Sequence, residues 1–351
     1  MFEIGEIDSS RPLRLLIVGN PVEYHLGSHL QAAAESLGWS ARIADVRDSW
    51  SSNRWINRVH HHLLGRRPSK LAAFGQSVIA TCQQFQPHVV ISTGIAPLSA
   101  DVLKEIGRKG IVRVNYLTDD PWSRSNRAAF FFQSLKEYDV IANPRRANIE
   151  QLKNLGCRQV QYVPFGYNPS YHFIETDPTP AERARFTCDA SILGGADDDR
   201  VPLALSLVDA GLNVALYGIY WDKYPRLRKY HRGYAHGRDL RLAVQLANCH
   251  VCMGRKANRD GHAMRSLEFP AMGACLVTED TSEHRDLYGD DGEAVLYWND
   301  EASLVNVTRR LVEQKELREQ LTKELFQRIV GSGKHTYATR LQEIILPMLS
   351  G

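Results

Sequence analysis

Short apolar runs alternate with longer amphipathic stretches along this chain, the pattern of buried parallel strands joined by crossover helices. Leu13-Arg14-Leu15-Leu16-Ile17-Val18 predicts a first strand, and Gly19-Asn20 turns the chain into a helix near Ser28 to Leu37. Ala41 to Ala44, His88 to Ser92, Ile111 to Leu117 and Asp139 to Ala142 predict further strands, with helical patterns at Ala100 to Gly107 and Phe130 to Glu137. Right-handed crossovers then give one parallel sheet. Val163-Pro164-Phe165-Gly166 closes this half, and a Pro- and Thr-bearing connector follows. The pattern restarts at Asp189 to Leu193, turns at Gly194-Gly195 and enters a helix near Val201. Asn213 to Tyr217, His250 to Met253 and Cys275 to Thr278 continue a second sheet, and helices at Ala302 to Glu313, Glu316 to Ile329 and Tyr337 to Leu349 finish the chain. The expected division is a domain over 1–168, a linker over 169–186, a domain over 187–332, and a terminal helix within 333–351 packing back on the first domain. The fold class is α/β, with two facing Rossmann-like sheets and a ligand cleft at their strand ends.

A length of 351 residues fits two such domains. Lys+Arg 43 against Asp+Glu 40 leaves a net charge of only +3, which disfavours a nucleic-acid partner. No apolar run approaches a membrane span, and the first residues lack a signal-peptide core, so a cytoplasmic protein is expected. Six cysteines, mostly in apolar segments, read as free thiols. Cys249 and Cys252 bracket His250, yet residues three apart on a strand point to opposite faces and do not converge on a metal.

The stretch from Arg265 to Glu279 carries the most chemistry. It reads as a short helix with Ser266 as N-cap and Pro270 in its first turn, a Gly273 stop, then a buried strand. Glu268 near the helix start is placed to accept bonds from two sugar hydroxyls, while the helix end favours a diphosphate. Gly194 and Gly195 permit close approach of backbone to phosphate; Asp197 to Asp199 satisfy the dipole of the helix that follows. Asp119 and Asp120 follow a strand at the ligand-bearing edge, either as base or orienting group for a reacting sugar or as caps of an Asp-Pro turn. His25, after the first strand, is an acceptor-side candidate. His60-His61-His62 reads as surface. Over Asn53 to Lys70, Arg54, Arg58, Arg66, Arg67 and Lys70 interleave with Trp55, Ile56, Val59, Leu63 and Leu64. A basic amphipathic helix of this kind either docks by its apolar face on the domain or meets an anionic membrane or acidic glycan.

Four segments of the second half occur in an order that resembles a known family: Gly233-Tyr-Ala-His-Gly-Arg-Asp-Leu, Asn248-Cys-His-Val-Cys-Met, Asp260-Gly-His-Ala-Met-Arg-Ser-Leu-Glu-Phe-Pro-Ala-Met-Gly and His335-Thr-Tyr-Ala-Thr-Arg. With Tyr116-Leu-Thr-Asp-Asp-Pro-Trp and Val163-Pro-Phe-Gly, they resemble the CgeB/YkvP-type glycosyltransferase-like proteins, relatives of the retaining family 4 glycosyltransferases. The resemblance implies a GT-B fold with an N-terminal acceptor domain and a C-terminal nucleotide-sugar domain. It implies that Glu268 holds the donor ribose, that Arg265 approaches the diphosphate, and that Arg255 and Lys256 stabilise the departing phosphate. Gly194, Gly195, Tyr217 and Gly218 complete the expected donor set. The family usually carries two glutamates separated by seven residues; at the matching position, eight before Glu268, this chain has Asp260, a shorter acid. The implied function is metal-independent, retaining transfer of a sugar from a nucleoside diphosphate to an acceptor hydroxyl, with no cofactor required. The acceptor is a glycan, a lipid-linked group or a protein. Residues 53–70 are the expected peripheral contact with the inner membrane face. The rival readings are a nucleotide-sugar hydrolase or epimerase of the same fold, and a non-catalytic surface- or spore-associated protein.

Overall fold

The computed structural model describes residues 12–259 and 261–349, so the candidate acid Asp260 lies outside the described residues. The chain forms two compact units. The first runs to Pro164 and takes in Ala257–Arg259 and the chain from Tyr337 onward. Its strands are Arg14–Gly19 (β1), Ser40–Asp45 (β2), Val89–Thr93 (β3), Val112–Tyr116 (β4), Val140–Asn143 (β5) and Val160–Tyr162 (β6). All pair in parallel, in the order β2-β1-β3-β4-β5-β6. Helices Leu26–Ser36 (α1), Arg54–His62 (α2), Leu71–Phe85 (α3), Ala100–Arg108 (α4), Ala129–Ser134 (α5) and Ile149–Asn154 (α6) accompany them. Side chains of a strand alternate between faces, so a sheet covered on both sides needs apolar residues at every position. Leu15, Leu16, Ile17 and Val18 meet that demand and are fully buried. Arg113 breaks the apolar run of β4, and Asp139 takes up its backbone N–H, its Nε and its Nη2 at 2.6–2.9 Å. The helix Tyr337–Leu349 packs on α1, with the Tyr337 ring stacked on His29 at 5.7 Å.

The second unit comprises Phe165–Lys256 and Asp260–Thr336. Strands Cys188–Leu193 (β7), Val214–Tyr217 (β8), Ala247–Cys252 (β9), Leu276–Glu279 (β10) and Leu296–Trp298 (β11) form a parallel sheet in the order β11-β10-β9-β7-β8. Its helices are Pro180–Phe186 (α7), Arg200–Asp209 (α8), Gly237–Gln245 (α9), Arg265–Ala271 (α10), Ser282–Tyr288 (α11), Glu301–Glu313 (α12) and Lys315–Phe326 (α13). Residues 169–186, expected as a linker, are built into this unit. Thr179 and Glu182 close a capping box on α7, and Phe186 is buried in the core. Upstream of α7, buried Glu175 receives Arg241 Nε at 2.6 Å and pairs with Arg238. Strands β6 and β11 have three residues each, too few for a period to register in the hydrophobic pattern. Cys249 and Cys252 lie in different core clusters, on opposite faces of β9, and all six cysteines are free and buried.

Candidate functional site

In the second sheet the chain steps from β7 to β8 on one side and then crosses to β9 on the other. Such a reversal opens a crevice beyond the carboxyl ends of the two strands that flank it, here β7 and β9. The loops leaving them hold Gly194 and Gly195 after β7 and Arg255 and Lys256 after β9, half of the expected donor residues.

After β7, Gly194 has φ +145° and Gly218, after β8, has φ +125°, backbone that residues with a Cβ rarely adopt. A Cβ on Gly218 would lie 2.6 Å from the Gly194 carbonyl carbon, and one on Gly195 would lie 2.7 Å from Ile219 Cγ1. Glycine at these positions lets the two loops pack directly. The Gly194 N–H donates to Tyr217 O at 2.8 Å, and Trp221 Nε1 donates to Gly194 O at 2.8 Å. The Tyr217 ring is buried in the core, so β8 contributes backbone here.

Asp197 accepts the Arg200 N–H at 2.9 Å and pairs with the Arg200 guanidinium. Asp199 accepts the Lys256 N–H at 3.2 Å, tying the β7 loop to the β9 loop. Glu279, at the end of β10, accepts the Gly254 N–H at 2.9 Å and fixes the start of the β9 loop. Both loops are therefore pinned by carboxylates, and Arg255 and Lys256 project exposed from the second.

Helix α10 begins at Arg265, with Met264 as N-cap, which corrects the expectation for Ser266. The Ser266 hydroxyl is drawn away: it accepts the Ala263 N–H at 3.1 Å and bonds His284 Nε2 at 2.9 Å. Pro270 is the sixth residue of this helix and falls beyond the first turn. The carbonyl it leaves without a donor, that of Ser266, receives the Tyr288 hydroxyl at 2.6 Å instead. Gly273, at φ +80°, stops the helix as expected, with Ala274 N–H donating to Phe269 O at 3.1 Å. A helix of seven residues supplies little dipole, so positive charge at this site comes mainly from side chains.

That charge is Arg200, Arg255 and Arg265. Burial lowers the Arg200 pKa to about 10, and the Arg265 charge adds to the shift. The Arg265 guanidinium is likewise pushed down by burial and by Arg255, while Glu268 counters both. Among the described residues no hydrogen bond or ion pair engages the Arg265 guanidinium. Burial drives the Glu268 carboxyl up to about 7, with Arg265 opposing. His172 accepts the Asn168 N–H on Nδ1 at 3.0 Å, which leaves the proton of a neutral ring on Nε2, 3.8 Å from Glu268 Oε1. Arg200 and His172 were not singled out from sequence. The Asp197-to-Arg200 spacing was the available signal for the first.

In the first unit, Asp120 is fully buried; it accepts the Trp122 N–H at 2.9 Å and pairs with Arg259. Arg259 also donates to Asn148 Oδ1 at 2.7 Å and Gln151 Oε1 at 2.6 Å. Asp119 is half-buried, and its carboxylate receives only the Thr118 hydroxyl at 3.3 Å among the described residues. The Thr118 carbonyl takes Arg145 Nε at 3.3 Å, which holds this turn at the end of β4. His25 is the exposed N-cap residue of α1, its pKa lowered by partial burial and by Arg47.

Comparison with known proteins agrees with this architecture. The model of the family described as glycosyl transferase-like matches residues 202–345. No curated protein sequence matches the chain. Sucrose-phosphate synthase from Thermosynechococcus elongatus is similar in structure, with TM-score 0.67 at 12% identity over 97% of this chain and 100% of that one. A glycosyltransferase from Rickettsia africae has TM-score 0.62 at 10% identity over 97% and 98% of the two chains. T4 phage BGT, solved with its UDP-glucose substrate, has TM-score 0.55 at 14% identity over 95% and 99%. The chain has two Rossmann-like parallel-sheet units and the GT-B glycosyltransferase fold.

Proposed function

We propose that this protein is a glycosyltransferase that moves a sugar from a nucleoside diphosphate to an acceptor hydroxyl. The observation that carries this reading is the group Arg200, Arg255 and Arg265 beside Glu268 at the β7 and β9 strand ends. The acceptor oxygen attacks the anomeric carbon, the C–O bond to the diphosphate breaks, and the diphosphate leaves with the electron pair. Guanidinium groups already in place stabilise that charge without reorganising. Glu268 is assigned to the ribose hydroxyls. Asp119 is favoured over Asp120 to take the acceptor proton, because Asp120 is already committed to Arg259 and Trp122. Metal-independence is part of the reading. Two of the three acids of the β7 loop, Asp197 and Asp199, are already engaged by Arg200 and Lys256, and the third, Asp198, is exposed. Retention of anomeric configuration is part of the reading through the family 4 resemblance; it requires the acceptor to attack from the face the diphosphate leaves, and it is read from the product's anomeric proton. UDP is the first nucleotide to test, given the substrate of T4 phage BGT. Calorimetry with UDP and a chelator should show binding, and UDP-glucose should support sugar transfer. Binding that needs added metal would reject the metal-independent site.

The reading includes a peripheral contact with an anionic bilayer through residues 53–70. Among the described residues no helix is long and apolar enough to cross a membrane. Helix α2 buries none of its residues, so of the two alternatives for this segment the docked one is not met, and Trp55, Val59 and Leu63 are exposed. No Asp or Glu occurs between Asp48 and Asp101, so the surrounding chain carries only positive charge. Co-sedimentation with phosphatidylglycerol vesicles, lost in Trp55→Ala and absent with phosphatidylcholine alone, is the test.

A further inference from the structure

A pocket of about 380 Å³ in the first unit lies beyond the carboxyl ends of β2 and β3. Arg47, His61, Arg66, Thr93, Ser125 and Asn126 supply its polar wall, and no acidic side chain lines it. Asp45 already engages Arg47 through Nε at 2.9 Å and Nη2 at 2.6 Å. Arg66 is different. Its Nη1 is buried with no hydrogen-bond partner among the described residues, and its backbone is held at φ +60°, a region disfavoured for arginine. The turn that imposes this conformation is locked by Arg66 N–H to His60 O at 3.1 Å, Arg67 N–H to Leu64 O at 3.2 Å, and the His60 ring to Arg67 O at 3.0 Å. A buried guanidinium nitrogen without an acceptor is costly, and an anion with oxygens to offer meets both its donor and its charge.

We propose that this pocket binds the phosphate of a phosphorylated acceptor, with Arg66 as its principal contact. Burial, the Arg66 charge and His62 lower the His61 pKa, which favours a neutral ring that still has one N–H to donate. A fork of guanidinium donors matches the paired oxygens of a phosphate ester. The exposed apolar side chains of α2 and the acid-free chain around it make a lipid headgroup one source of that phosphate, and a soluble phosphorylated sugar the other. The inference rests on the transferase reading only in taking the pocket's occupant as the acceptor.

The test is a residue-specific protection experiment on the whole protein, with saturating UDP present so that the donor site is filled. Modification of Arg66 by phenylglyoxal is followed by peptide mass spectrometry in inorganic phosphate, in glycerol 3-phosphate, in phosphatidylglycerol vesicles, and in sodium chloride at equal ionic strength. Protection by the soluble phosphates identifies a free phosphorylated acceptor; protection by vesicles alone identifies a lipid headgroup. Equal modification in all four, or equal protection by chloride, overturns the proposal. Arg66→Gln should weaken the effective phosphate by about 10–100-fold, while Arg54→Gln, outside the pocket, leaves it unchanged. Unaltered affinity in Arg66→Gln would also overturn it. Neither readout needs sugar transfer, and UDP affinity is measured separately, so failure here is distinguishable from failure of the donor site.

Discussion

Replacing Glu268 by glutamine should weaken donor binding and stabilise the protein at the same time. Burial raises the Glu268 carboxyl from an ordinary 4.5 to about 7. Each tenfold in proton affinity is worth about 1.4 kcal/mol, so holding this group ionised costs the fold about 3 kcal/mol above pH 7. The sign follows from the proton count. Between pH 4.5 and 7 the native state binds more protons at this site than the unfolded chain, so stability is fully present below 4.5 and falls as pH rises through 7. Glu268→Gln removes the charge and keeps the shape. Its denaturant midpoint should match wild type at pH 4.5 and exceed it at pH 8, by an amount approaching that 3 kcal/mol. The same change removes a charged acceptor from the ribose and should weaken UDP binding by about 1.5–3 kcal/mol, measured by calorimetry at pH 8. A variant less stable than wild type at pH 8 would refute the burial argument. Unchanged UDP affinity would refute the ribose role.

Asp119→Asn should slow transfer about 10²–10⁴-fold with UDP affinity preserved, while Asp120→Asn should lower stability by about 1–3 kcal/mol with activity per folded molecule intact, read by denaturation and steady-state assay. Tyr288→Phe leaves the Ser266 carbonyl without a donor and should cost about 1–3 kcal/mol in urea denaturation. Adding Pro270→Ala, which restores a backbone N–H, should recover part of that loss, and a strictly additive pair would disprove the link. Gly218→Ala forces a Cβ to 2.6 Å from Gly194 and should cost about 2–4 kcal/mol, against about 1 kcal/mol for Gly211→Ala, where nothing lies within 4 Å. Equal melting temperatures for those two variants would show that the loops can part.

Strands built round a continuous apolar run were legible in the sequence, as Leu15-Leu16-Ile17-Val18 in β1 illustrates. The same logic separated Cys249 from Cys252, because the side-chain period of a strand is fixed by backbone geometry. What the sequence concealed was set by partners distant along the chain. Ser266 looks like an N-cap until His284, eighteen residues on, competes for its hydroxyl. Pro270 looks confined to a first turn until Tyr288 is found on the carbonyl it orphans. The amphipathic pattern of 53–70 was legible as a pattern, but whether anything covers an apolar face is decided by neighbours, and α2 has none that bury it. The strand order, which makes the β7 and β9 ends a crevice, is likewise a property of the whole sheet.

The charges of the second unit fall into two kinds, and the difference bears on function. Arg238 and Arg241 meet Glu175 and are neutralised where they stand, as Arg113 meets Asp139 in the first unit. Those are structural pairs, and breaking one would leave a buried ion uncompensated. Arg265 and Glu268 sit on one short helix, where Glu268 has His172 Nε2 at 3.8 Å and Arg265 makes no hydrogen bond or ion pair among the described residues, and each is pushed by burial toward its neutral form. If α10 were only a packing unit, apolar residues or a glutamine at these positions would be as stable or more so. In the proposed reading these two opposite charges, three residues apart, serve a ligand that carries both negative charge and hydroxyl groups. A nucleoside diphosphate has its phosphates and its ribose at that kind of separation, and the glycine turns of the β7 and β8 loops leave backbone rather than side chains facing the same strand ends. In the proposed reading the positive-φ glycines, the Arg265 guanidinium and a carboxyl near pH 7 serve one nucleotide site, where local stability is given up for binding.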